Sequence, residues 1–66
     1  MLNTYDIMQK IYGQVVDLNV GITVEMARDI TRKALKELDN NINNEEKNKK
    51  VIKKLIINSD LKQVEL

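Results

Sequence analysis

The chain of 66 residues contains no histidine, cysteine, tryptophan, phenylalanine or proline. Without cysteine there is no disulfide. Without His or Cys, the usual ligands of a structural zinc and the usual groups of neutral-pH nucleophilic chemistry are missing. Tyr5 and Tyr12 are the only aromatic rings, too few to stack a run of nucleic-acid bases. No apolar run approaches the roughly 20 residues that a membrane-spanning helix needs. The formal net charge is +1, so no global field draws the chain toward nucleic acid or acidic lipid. The opening residues Met1 to Asp6 lack the basic start and apolar stretch of a secretory leader. These absences predict a cytoplasmic, non-enzymatic protein. No catalytic residue, cofactor, metal ligand, small-molecule substrate or membrane partner is expected.

What is present is Ile, Val, Leu, Lys, Glu and Asn in helical order. The length allows one domain, residues 1–66. A domain of this size buries only about 60 % of its unfolded surface, and small scaffolds recover stability from disulfides, metals or oligomers. With the first two missing, self-association is the remaining device, and a homodimer is expected. A well-packed monomeric bundle is the alternative.

Three helices are predicted, at roughly 4–18, 24–39 and 44–58, followed by a short C-terminal turn around Leu61, Val64 and Leu66. In the first, Ile7, Met8, Ile11, Tyr12, Val15 and Val16 form two adjacent i, i+4, i+8 rows. Asn3 or Thr4 supplies its N-cap. Gly13 lies within this segment and costs helix stability of up to ~1 kcal/mol relative to Ala, unless it admits a close neighbour. The second helix takes Thr23 as N-cap and buries Met26, Ala27, Ile30, Ala34, Leu35 and Leu38. Asp29 and Lys33 have the acid-before-base i, i+4 order that supports it. The run Asp39-Asn40-Asn41 ends it, since Asn tolerates the left-handed turn. Asn43 as N-cap with Glu46 three residues on resembles a capping box for the third helix, whose apolar face is Val51, Ile52, Leu55 and Ile56, widened by Ile57. Between the first two helices, apolar residues at 16, 18, 20, 22 and 24 alternate with others, as a strand would. A lone strand has no partner in this chain, so a turn is favoured, with Asn19 or Gly21 in the left-handed position.

Three constellations bear on function. Lys47, Lys49, Lys50, Lys53 and Lys54 crowd into eight residues of the third helix. They read either as a phosphate- or acid-binding patch or as a solvated face whose stems cover apolar neighbours. Residues 41–66 carry six Lys against four acidic residues and no Arg, a thin surplus for a DNA surface. The segment Val16 to Ile30, with Gly21 flanked by Val20 and Ile22, resembles the DNA-binding helix-turn-helix family over some 20 residues. It departs from that pattern at Asp17, where a small buried residue is usual, and the would-be recognition helix exposes Glu25 and Asp29 beside Arg28 and Arg32. The carboxylate pairs Glu25/Asp29 and Glu45/Glu46 read as solubilising charge, because a chain this short has little room for a cleft that would split their pKa values.

An all-α, small three-helix, self-associating domain is therefore expected to act as an interaction or regulatory module that binds another protein through helical apolar faces. Size and composition fit a phage or mobile-element regulator or inhibitor. The expected protein-contact residues are Tyr5, Met8, Tyr12, Ile52, Leu55 and Ile56. The alternative is a helix-turn-helix-like DNA-binding regulator, for which Arg28, Arg32, Lys49, Lys50 and Lys53 are the candidate nucleic-acid contacts.

Overall fold

The computed structural model describes residues 3–59 of the chain. They form three helices, α1 (Thr4–Leu18), α2 (Val24–Leu38) and α3 (Glu45–Ile57), with no strand among the described residues. The fold is all-α, as the periodicity predicts. The turn expected around Leu61, Val64 and Leu66 lies outside the described residues.

Each helix starts on a side-chain cap. Asn3 Oδ1 accepts from the Asp6 N–H at 2.8 Å, Thr23 Oγ1 from the Met26 N–H at 3.2 Å, and Asn44 Oδ1 from the Lys47 N–H at 3.1 Å. Each cap satisfies one orphan donor of a first turn, and Asp6, Glu25 and Glu45 add negative charge where the helix dipole is positive. The third cap corrects the sequence reading, which placed it at Asn43. Both are asparagines in tandem, so local chemistry does not separate them. The choice falls to the connection: Ile42 is buried against the core, and one further residue is used before α3 begins.

The alternating stretch after α1 is a turn. Asn19 closes α1 with an extended φ of −144°, and Gly21 takes the positive φ of 98°. The left-handed position therefore belongs to Gly21, the residue without a Cβ to clash. At the end of α2, Asp39 (φ 54°) and Asn40 (φ 60°) both turn left-handed, and the Asn40 N–H donates to the Leu35 carbonyl at 3.0 Å. That pair of residues stops α2 one position before the boundary of 39 expected from the pattern.

The core joins Ile11 and Val15 of α1, Ala27, Ile30, Ala34, Leu35 and Leu38 of α2, Ile42 of the connection, and Val51 and Ile52 of α3. The two alanines let the α1 and α3 backbones approach α2, which is the central element and packs against both. α3 begins beside α1, where Glu45 approaches Lys10 at 4.0 Å, and proceeds to α2, where Lys54 pairs with Glu37. It therefore crosses the α1–α2 pair. Asn48, fully buried, ties α3 to the connection before it: its amide donates to the Ile42 carbonyl at 3.1 Å. Its Oδ1 has no donor among the described residues, which offsets part of that gain, since an unsatisfied buried acceptor costs about 1–3 kcal/mol. Thr31, also buried, avoids the same cost by donating its hydroxyl to the Ala27 carbonyl at 2.7 Å.

Gly13 is exposed, and a Cβ built on it would meet nothing within 4 Å. No close helix approach within this chain requires it, so it is a weak point of α1.

Candidate interaction surface

The apolar content of α1 exceeds what its core face needs. Ile11 and Val15 point inward and are fully buried, whereas Tyr5, Met8 and Val16 remain exposed, Tyr5 at 66 %. With half-buried Tyr12 they run along one flank of α1 at i, i+3, i+7 and i+11. On a helix that spacing traces a row about 16 Å long on one side of the cylinder.

Packing of α1 on α2 brings this row beside the outer edge of α2. Tyr5, Met8, Gln9 and Tyr12 line one wall of a groove of about 530 Å³, and Arg28, Thr31 and Arg32 line the other. Two sets of residues that sequence reasoning assigned to different functions thus share a single surface. Tyr5, Met8 and Tyr12 were expected at a protein contact, and Arg28 and Arg32 at nucleic acid.

Some polar groups of the groove have partners. The Gln9 side-chain amide donates to the Tyr5 hydroxyl at 2.7 Å. Asp29 is shared by two cations, with Oδ1 3.7 Å from the Arg32 guanidinium and Oδ2 3.1 Å from the Lys33 ammonium. Arg28 has no ion pair or hydrogen bond among the described residues. The groove itself is thus lined by two guanidinium groups and no carboxylate, with Asp29 beside Arg32.

The remaining expected contact residues lie elsewhere. Ile52 is a correction: its side chain is 0 % exposed, so it is a core residue with no surface to offer a partner. Leu55 and Ile56 are half-buried against the same core. Leu55 also borders a shallower depression of about 310 Å³ with Lys33, Lys36 and Glu37, on the α3 side of α2. The exposed apolar residue of this helix is Ile57, which sequence reasoning treated as widening the buried face.

The lysines of α3 are all exposed, and only Lys54 is paired, with Glu37. Lys47, Lys49, Lys50 and Lys53 have no ion pair among the described residues. Arg28 and Arg32 stand on the α1 edge of α2, whereas α3 meets α2 along the edge of Glu37, so the candidate nucleic-acid contacts are split between two surfaces. Asp17, which breaks the helix-turn-helix pattern, is exposed here and leaves the α1–α2 packing undisturbed.

Among the described residues, no helix is long and apolar enough to cross a membrane, and no three His, Cys, Asp or Glu residues cluster to hold a metal. The fold and surface define a small three-helix protein with one arginine-edged apolar groove. Neither family models, nor curated proteins, nor solved structures give a significant match to this chain.

Proposed function

We propose that the chain is a small non-enzymatic interaction module that binds another protein through the exposed flank of α1. The observation that carries this reading is the row Tyr5, Met8, Tyr12 and Val16. It continues the apolar face of α1 beyond the core and ends in a concave groove. Scattered exposed apolar residues are ordinary, but a contiguous apolar row with aromatic and Met side chains beside Arg has the composition of contact hot spots. Tyr contributes a large rigid ring, and Met an adaptable one-dimensional chain that follows a partner's contour. A regulator or inhibitor acts through such a surface without chemistry of its own. Self-association belongs to the same reading and is tested by the mass in solution at micromolar concentration.

The test is capture of the partner from the native host by the parent chain and by Tyr5→Ala with Met8→Ala. Both side chains are exposed, so the variant keeps the fold. The expected result is at least a tenfold loss of affinity for the captured protein, about 1.4 kcal/mol. Undiminished capture by the double variant refutes the α1 flank as the contact.

A DNA-binding regulator is the second reading, favoured by four exposed lysines of α3 that have no ion pair among the described residues. It requires sub-micromolar duplex binding at physiological salt, with a log–log salt slope that shrinks by roughly one unit for each lysine removed.

A further inference from the structure

The geometry points to one kind of occupant for the α1/α2 groove: an acidic amphipathic helix of a partner protein. This deepens the proposal above and rests on it. The apolar wall sets the shape. Tyr5, Met8 and Tyr12 extend over two turns of α1, and an apolar groove of that length between two helices is the kind into which an amphipathic helix lays its apolar face. Thr31 is buried and its hydroxyl is taken by the Ala27 carbonyl, while Tyr5, Met8 and Tyr12 present rings and a thioether chain, so the wall favours apolar side chains.

The charge of the other wall sets the sign. Arg28 is without a partner among the described residues, and Arg32 shares the Asp29 carboxylate with Lys33. A carboxylate arriving beside Arg28 has a guanidinium fork that nothing else in the groove competes for. A helix with apolar residues at its centre and Glu or Asp along its edge satisfies both walls at once.

The same arithmetic disfavours a second copy in this groove. A two-fold axis across the groove would set Arg28 and Arg32 of one copy against their equivalents, and neither wall of the groove offers a carboxylate to pair with them. Duplex DNA fits the arginines but leaves the Tyr5–Met8–Tyr12 wall uncovered.

The experiment uses the full chain, isotope-labelled, and two synthetic helical peptides. Both carry leucines at i, i+4 and i+7; one has glutamates on the flanks and the other lysines. The acidic peptide is expected to shift the resonances of Tyr5, Met8, Tyr12, Arg28 and Arg32. It should bind at least tenfold more tightly than the basic one, with the difference narrowing as salt rises. Arg28→Glu, an exposed change, is expected to reverse the preference. If both peptides bind the groove equally, the acidic assignment is overturned while the protein-binding reading stands. Shifts confined to Lys49, Lys50 and Lys53 overturn the groove as the acceptor. A doubled mass that Arg28→Glu converts to the single-chain mass assigns the groove to a second copy. Contacts from the Tyr12 ring to Leu61 or Val64 in the free chain assign it to residues 60–66. Either result overturns the proposal. Loss of the captured partner's binding on Tyr5→Ala with Met8→Ala, without any peptide binding, overturns only the helix and leaves the contact.

Discussion

Two isoleucines of α3 provide the sharpest test of the packing. Ile52 is 0 % exposed and among the largest fully buried side chains, whereas Ile57 is 62 % exposed on the same helix. Truncating Ile52 to Ala removes three carbons from a closed site shared by all three helices. At about 0.8 kcal/mol per buried CH₂ the transfer loss alone is roughly 2.4 kcal/mol, and the unfilled cavity raises the total to about 2–5 kcal/mol. For a chain of 66 residues, total stability of about 0.05–0.15 kcal/mol per residue amounts to only about 3–10 kcal/mol. Ile52→Ala therefore removes a large fraction of the stability and brings the protein close to its unfolding midpoint in water. Ile57→Ala makes the same chemical change at the exposed last residue of the same helix and is expected to alter stability by less than about 0.5 kcal/mol. Urea unfolding followed by far-UV circular dichroism measures both, and Ile52→Val supplies an intermediate point at about 0.5–1.5 kcal/mol. Equal effects of the two alanine variants, or an Ile52→Ala change below about 0.5 kcal/mol, would refute the burial on which the fold rests. An unfolding midpoint that rises with protein concentration would show, in the same experiment, that association contributes to stability.

The two glycines are expected to respond in opposite directions. Gly13→Ala places a methyl group in open space on a helix and should stabilise by about 0.5–1 kcal/mol. Gly21→Ala meets no neighbour either, but it forces an L side chain onto a φ of 98° and should destabilise by about 1–2 kcal/mol. Thermal melts of the two variants check the signs. The tandem asparagines before α3 separate in the same way. Asn44→Ala removes the acceptor of the Lys47 N–H and should cost about 0.5–2 kcal/mol, whereas Asn43→Ala should stay within about 0.5 kcal/mol. The reverse order in denaturant unfolding would return the cap to Asn43. Lys49→Glu with Lys53→Glu changes two exposed side chains, and the fold should be retained within about 0.5 kcal/mol per site. A large loss of helicity would mean that these lysine stems cover core residues.

The helices were legible from the sequence because their determinants are local. The rows of Ile7, Ile11 and Val15 and of Ala27, Ile30 and Ala34 repeat at helical spacing, and Thr23 and Asn3 cap donors only three residues away. Asp39 and Asn40 announce the left-handed stop within the same short range. The backbone hydrogen bonds of a helix span four residues, so a window of that size contains most of the information needed to start, continue and end one.

Burial and the surface have a longer range. Val51, Ile52, Ile56 and Ile57 are near-equivalent as sequence, and the crossing of α3 over the α1–α2 pair decides that Ile52 is sealed and Ile57 left outside. The same packing buries Ile42 and Asn48, which are joined by a hydrogen bond across the start of α3. It also sets Tyr5, Met8 and Tyr12 opposite Arg28 and Arg32, residues some twenty positions apart whose proximity no periodicity encodes. Local hydrogen bonding and side-chain spacing specified the three helices. The docking of one helix against another, which depends on surfaces that meet only after the chain has turned back on itself, decided what is core and what is left to bind.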